Sequence, residues 1–563
     1  MKWGLALAAA VVAPMPAGIW HPDQHDGTYA NPVLNGDYSD PDVIRVGDNF
    51  YLVSSSFVNA PGLPVLQSKD LVNWTLIGHA LPIVSPQAHY AVPRRGGGVW
   101  APSIRFHGGR YYIYYPDPDF GIFVISATDP AGPWSSPILV DDTKGAIDPC
   151  PFWDDNGQGY LVHAYAGSRA GFSNVITLKK LSPDGTRIDG AGTDILKPAE
   201  LPKVATSQGL MPWFTTEGPK LYKRNGYYYV FAPAGSVKGG WQGVFRSRSI
   251  TGPYEGRDVM DQGHTSFNGP HQGAWVTTPS GQDWFIHFQD TDTYGRRVLL
   301  EPMSWGADDW PVIGHRQPGE VFGEPVARHS KPDVPAQADR VPAFDDSFVD
   351  GYHLGWQWNS NPARDWVDTG VKGMLRLNSA STPSNLWEAG NVLSQKLPGT
   401  TFSVTVHVHL TAKAIGERAG LVVLGQDYAF VGLENAPSGI RLVEAERQDA
   451  AGTGAERTVV GPVVPEGEIY LRARFRPVTV RQSPPNFPNY WPSMLRSSEA
   501  EITFSYSDDG LHFVQLGSSF TAVPGRWVGA QVGIFAQAPS GSPAFVSTRV
   551  GHADFDAFKG ANE

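Results

Sequence analysis

Three carboxylates stand at matching places in this chain, and their type and spacing are the first sign of chemistry. Asp40 lies in Tyr38-Ser39-Asp40-Pro41-Asp42-Val43, Asp148 in Ala146-Ile147-Asp148-Pro149-Cys150, and Glu217 in Thr215-Thr216-Glu217-Gly218-Pro219-Lys220. Each sits beside Pro or Gly and precedes an aromatic marker residue by 11 or 12 positions. Trp100 and His271 precede two further markers by 12 and 13 positions. An aspartate before proline readily starts a turn, so either Asp-Pro pair alone has a purely structural reading. Their recurrence with Glu217 at one repeat position points instead to convergence on a shared site. Clustered carboxylates suit glycosidic bond cleavage, which needs one protonated acid and one ionised base or nucleophile. A third carboxylate raises the acid's pKa by like-charge repulsion and orients it. Trp100 offers a sugar ring an apolar face, although a place in the packed interior suits it as well. Arg296 supplies a cation for sugar hydroxyls, with the adjacent Arg297 as a rival.

The elements that position these residues repeat. Five segments share a Gly turn followed by an aromatic-rich strand, marked by Tyr51, Tyr112, Tyr160, Tyr229 and Trp284, at spacings of 61, 48, 69 and 55 residues. That is the size of a four-stranded propeller blade with variable loops. Echoes from Ser68 to Trp74, Ser126 to Trp134 and Ser247 to Tyr254 read as outer strands closed by turns. The strand after each candidate residue would be the innermost of its blade. Equivalent positions then face one another across the central channel, and the repeat offset selects Asp40 over Asp42, whose side chain is expected in the blade turn.

The pattern changes toward the C-terminus. Residues 27–325 read as the propeller, 326–342 as a Pro-containing linker, and 343–563 as a β-sandwich. In the last region Phe402, Val404, Val406, Val408 and Leu410 alternate with polar residues, as do Leu471, Ala473 and Phe475, and Ile502, Phe504 and Tyr506. This is the period of half-buried antiparallel strands. The fold class expected is all-β: a five-bladed propeller followed by a concanavalin-like sandwich.

Composition bounds the partners. With 44 Lys+Arg against 55 Asp+Glu, the net charge of −11 disfavours nucleic acid. Lys2, the apolar run Leu5 to Val12 and the small residues to Gly18 make 1–18 an export signal, too short to span a bilayer. Cys150 is the only cysteine, so no intramolecular disulfide forms. The expected location is secreted, either bacterial periplasmic or extracellular.

These motifs resemble glycoside hydrolase family 43. The C-terminal half, in Phe344 to Phe348, Leu354 to Trp358 and Ala419 to Val423, resembles the sandwich appended to many β-xylosidases of that family. The resemblance implies an inverting mechanism, with Asp40 as general base, Glu217 as general acid and Asp148 as the carboxylate that tunes and orients the acid. It implies that Arg296 contacts the sugar. His271 matches a histidine near a central water or a calcium ion reached through water, and a hydrogen-bonded structural histidine is an equal reading. No cofactor is required on this reading; calcium would be central or structural. The activity expected is that of an exo-acting β-1,4-xylosidase on xylo-oligosaccharides from plant cell walls. An α-L-arabinofuranosidase and a non-catalytic glycan-binding protein are the alternatives. Asp117, Asp119, Asp290 and Asp292 receive no role, and the Pro- and aromatic-rich segment 482–493 receives no account.

Overall fold

The computed structural model describes residues 20–381, 385–481, 496–539 and 550–563. The export-like segment 1–18 and the segment 482–493 lie outside the described residues.

Short runs of Val, Ile, Phe and Tyr between Gly turns favour antiparallel strands that bury both faces between neighbouring sheets. Five four-stranded sheets follow one another, each with its strands in chain order. Their innermost strands are Asp42–Val46, Ser103–His107, Ala146–Trp153, Lys220–Arg224 and His271–Thr277. This is the five-bladed propeller expected. The aromatic markers fall on the second strand of each blade. Their work is to seal blade against blade: Tyr51 meets Tyr111 of blade 2 edge-on at 5.3 Å, and Tyr229 packs with Phe285 and Trp310 of blade 5. Each such aromatic removes a large apolar area from water.

The ring is clasped by its N-terminal segment. Val33 N and Leu34 N donate to Val298 O at 2.8 and 3.3 Å, continuing the edge of blade 5, and Thr28–Ala30 pairs with Arg328–Ser330.

Beyond the linker two eight-stranded sheets face each other. Phe402, Val404, Val406, Val408 and Leu410 are buried, as are Leu471, Ala473, Phe475, Ile502 and Phe504. They form one core with Leu421, Val431 and Ile534 of the opposite sheet, and Phe402 stacks on Phe475 at 4.3 Å. The alternation seen in the sequence thus has the cause expected: one face packs inward.

Propeller and sandwich share a seam. Tyr294 of the propeller is buried within the sandwich core, and its hydroxyl donates to Thr400 O. Trp358 and Ala60 exchange backbone bonds, and Asn361 bonds the backbone of Val84 on both sides of its amide. Among the described residues no helix is long and apolar enough to cross a membrane.

Candidate functional site

The candidate residues meet at one mouth of the propeller channel because the chain turns sharply just before, or just inside, each innermost strand. Asp40 and Asp148 adopt left-handed backbone, with φ of +55° and +56°. Aspartate tolerates this region better than most residues. At Asp148 the kink coincides with a register shift between Ile147 and Cys150, and at His271 with one between His271 and Gly273. Gly218, at φ +62°, lets the chain turn directly after Glu217. Each kink lifts a side chain from the strand's alternation toward the axis.

One pocket is lined by Asp40, Trp100, Asp148, Glu217, His271 and Arg296 together. All six residues singled out in the sequence therefore converge. Phe57, Ala101, Ile147, Val237 and Gln272 complete the propeller's share of the lining, and Trp527 comes from the sandwich.

The three carboxylates have different surroundings. Asp40 Oδ1 accepts from Arg296 Nη1 at 3.1 Å, and its Oδ2 from Ser55 Oγ at 2.5 Å. Asp148 Oδ2 accepts from Gly218 N at 2.8 Å and Gln272 Nε2 at 3.2 Å, which bonds it to the segment carrying Glu217. Burial, reinforced by the charge of Asp40, pushes the Asp148 carboxyl up to about 7. Glu217 makes no such bonds among the described residues. Burial and the charges of Asp148 and Asp40 push its carboxyl up to about 8, against the opposing pull of Arg296. A carboxyl with a raised pKa beside a carboxylate held in an ion pair is the arrangement that divides acid from base.

His271 is fully buried, with Nε2 3.5 Å from Glu217 Oε1, and neither ring nitrogen has a hydrogen-bond partner among the described residues. Burial and Arg296 push its pKa down to about 3, so the ring is neutral near pH 7. Two unpartnered nitrogens in a buried ring fit a water. The only trio of metal-type ligands gathered among the described residues is Asp23, His25 and Asp339, away from this pocket. There Lys331 Nζ already sits 2.6 Å from Asp23 Oδ2.

The rival residues separate cleanly. Arg296 and Arg297 point to opposite faces of one strand: Arg296 enters the pocket, while Arg297 lies buried over the Tyr294 ring at 5.5 Å. Asp42 does not point into the blade turn. It opens the innermost strand, fully buried, and its Oδ2 accepts from Ile104 N and Arg105 Nη1 of blade 2 at 2.8 and 2.6 Å. Asp290 lies 3.7 Å from Arg296 Nε, and Asp292 pairs with Lys238. Asp117 accepts from Tyr90, and Asp119 pairs with Arg169, whose guanidinium lies 5.7 Å from the Trp100 ring centre. Trp100 is half-buried and does both things the sequence allowed, lining the pocket and packing against the core shared by blades 3 and 4.

Trp527 was not visible as a site residue in the sequence. Its ring meets that of Trp100 edge-on at 6.0 Å and is 48% exposed, so two indoles flank the entrance. Asp37 holds its loop: Oδ1 accepts from Arg296 N at 2.8 Å and Oδ2 from Gly529 N at 2.9 Å. Gly529 approaches Gly295 so closely that a Cβ there would lie 2.6 Å from its amide nitrogen. The sole local signal was an aromatic following Pro524-Gly525, a turn in a region read only for its strands.

Comparison with known proteins follows these two layers of structure. Residues 29–311 match the model for glycosyl hydrolases family 43, and residues 344–560 match that for the beta xylosidase C-terminal concanavalin A-like domain. The chain is 37% identical over 518 residues to a Xylanibacter ruminicola protein, covering 91% of this chain and 86% of that one. It is 32% identical over 607 residues to a beta-xylosidase of Formosa agariphila, covering 98% and 94%. A non-reducing end alpha-L-arabinofuranosidase of Bacteroides ovatus is 30% identical over 420 residues, covering 71% and 74%. Among solved structures, the family-43 protein BlXynB of Bacillus licheniformis superposes with a TM-score of 0.76 at 25% identity, over 95% of this chain and all of that one.

Proposed function

Because this chain belongs to glycoside hydrolase family 43, we propose that it is an inverting, exo-acting β-1,4-xylosidase, releasing xylose from the non-reducing end of xylo-oligosaccharides derived from plant cell-wall xylan. The observation that carries the assignment is the division among the three carboxylates. Glu217, pushed up to about 8, holds a proton at neutral pH and serves as general acid to the leaving oxygen. Asp40, in its ion pair with Arg296, serves as the base that takes a proton from the attacking water. Asp148 keeps Glu217 protonated through its charge and holds it in place through the Gly218 amide. Arg296 and Trp100 bind the sugar, and Trp527 walls the entrance. A pocket flanked by two indoles suits the end of a chain better than its middle, which supports exo action.

This chemistry requires no cofactor. His271 holds a central water; a calcium ion, if bound, would be reached through that water, with no protein atom as a direct ligand. Export to the periplasm or beyond the cell accords with a polymeric substrate and rests on residues 1–18.

The Bacteroides ovatus relative supports a second reading, an α-L-arabinofuranosidase, since the two pentoses have similar outlines. Rates on the p-nitrophenyl β-xyloside and α-arabinofuranoside decide between them: release of xylose is expected, and release of arabinose alone overturns the xylosidase assignment. NMR of the first-formed anomer tests inversion. A glycan-binding protein without turnover would show no product from either, and Glu217→Gln would leave its affinity intact.

A further inference from the structure

Directly below the carboxylates lies a second tier, built from the residues that open the innermost strands of blades 1, 2 and 4 and from one residue of blade 3: Asp42, Ser103, Lys220 and Cys150. Arg105 of blade 2 joins two of them, with Nη1 2.6 Å from Asp42 Oδ2 and Nη2 3.0 Å from Cys150 Sγ. Its charge is therefore met by a carboxylate. Lys220 differs. It is buried, and its ammonium reaches past blade 3 to donate to Ser103 Oγ at 2.7 Å and Pro102 O at 3.4 Å, both neutral acceptors. No carboxylate stands within ion-pair distance of it among the described residues.

A buried ammonium without a paired carboxylate is costly, and attraction to a carboxylate farther off offsets part of that cost. Three residues before Lys220 is Glu217, and Asp148 feels the lysine's charge. We propose that Lys220 is a positioning residue of the active site: tethered to Ser103, it is the fixed cation that works with the Gly218 amide to favour the charged form of Asp148 beside Glu217. The inference rests on the roles given above to those two acids.

Among the described residues, the charged and polar groups that act on Asp148 come from three blades. They are Asp40 from blade 1, Glu217, Lys220 and the Gly218 amide from blade 4, and Gln272 from blade 5. Arg296 is bonded to Asp40, the His271 ring is neutral, and Arg105 is neutralised by Asp42. Lys220 is thus the cation of this set without a carboxylate of its own. Removing its charge raises the pKa of Asp148, so activity on the acid side of the optimum is lost at higher pH.

The test compares Lys220→Gln, which keeps a donor for Ser103 but drops the charge, with Lys220→Arg, which keeps the charge. In profiles of kcat/KM against pH, the acid limb of Lys220→Gln is expected to move up by about half a unit to one unit, with Lys220→Arg staying at the wild-type position. An unmoved limb in folded Lys220→Gln, or an equal shift in Lys220→Arg, overturns the proposal. Should Lys220→Gln fail to fold, Ser103→Ala unties the ammonium and is expected to move the limb the same way by less; no movement overturns it. A second readout needs no substrate. The fall of Tm with rising pH should be steeper in Lys220→Gln than in wild type, and an unchanged slope counts against the proposal even if the wild-type protein cleaves neither pentoside. Such inactivity alone would overturn the xylosidase reading instead.

Discussion

At the centre of the propeller, Asp40, Asp42, Asp148 and Glu217 share a confined space with Arg105, Arg296 and Lys220, whereas the sandwich core is built of Phe, Val, Leu, Ile and Ala, with its ion pairs outside that cluster. Arg376 forks onto Asp554 at 2.7 and 2.8 Å, and Glu434 lies between Arg418 and Arg441. In the sandwich, burial and pairing both stabilise the fold. In the channel, burial works against each carboxylate, and the packed blades around it hold the arrangement in place. The two regions should therefore respond to mutation in opposite ways, activity without stability in one and stability without activity in the other.

The largest separation is expected from Glu217→Gln and Asp40→Asn. Each should lower turnover by about 10²- to 10⁴-fold, while Tm holds or rises in Glu217→Gln, which steady-state rates and calorimetry together would check. A parallel collapse of Tm would mean that these carboxylates hold the fold. The converse is Phe475→Ala in the sandwich core. It should cost about 3–5 kcal/mol of stability in denaturant unfolding, with the kcat of the remaining folded protein close to wild type.

Trp527→Ala probes the point where the two regions meet. Because its ring is half exposed at the pocket entrance, stability should change little and KM should rise about tenfold, equal to ~1.4 kcal/mol. An unchanged KM would remove the sandwich from the site. Loss of residues 343–563 altogether should abolish folding or activity, since Tyr294 and the Asp37 bond would lose their partners.

A smaller effect separates the regions by pH. Asp148 and Glu217 titrate near 7 and 8 when folded but near ordinary carboxyl values when unfolded, so the folded state holds more protons between them. Stability should fall as pH rises from about 4 to about 8, and Asp148→Asn should flatten that fall in Tm scans. Glu434 runs the other way. Burial raises it, but Arg441 and Arg418 outweigh burial and leave it low, so its contribution is lost only as pH falls into the acid range. The smallest change expected is from Arg376→Met, under about 1 kcal/mol in urea unfolding.

How much of this was legible depended on the physics involved. The sandwich declared itself through alternation, because a strand with one buried face must repeat every two residues. The channel residues declared themselves through repetition, because blade symmetry turns equal sequence offsets into shared space. What escaped had neither mark. Trp527 gains its place from a loop whose position depends on Asp37 and Gly529, almost five hundred residues apart. Asp42 was assigned to a turn because its neighbour Asp40 took the site. In the fold it opens a strand and reaches Arg105. The choice of Arg296 over Arg297 likewise waited on which face of the strand met the pocket.

The cross-channel bonds of Lys220 and Arg105 also bear on traffic. They tie blades 1 to 4 together beneath the carboxylates, so the pocket has a floor, and a sugar that enters past Trp100 and Trp527 leaves by the same door. The leaving group, facing that door, must depart first. The released monosaccharide then stands between the floor and the next substrate, which makes its escape a step that every turnover has to wait for.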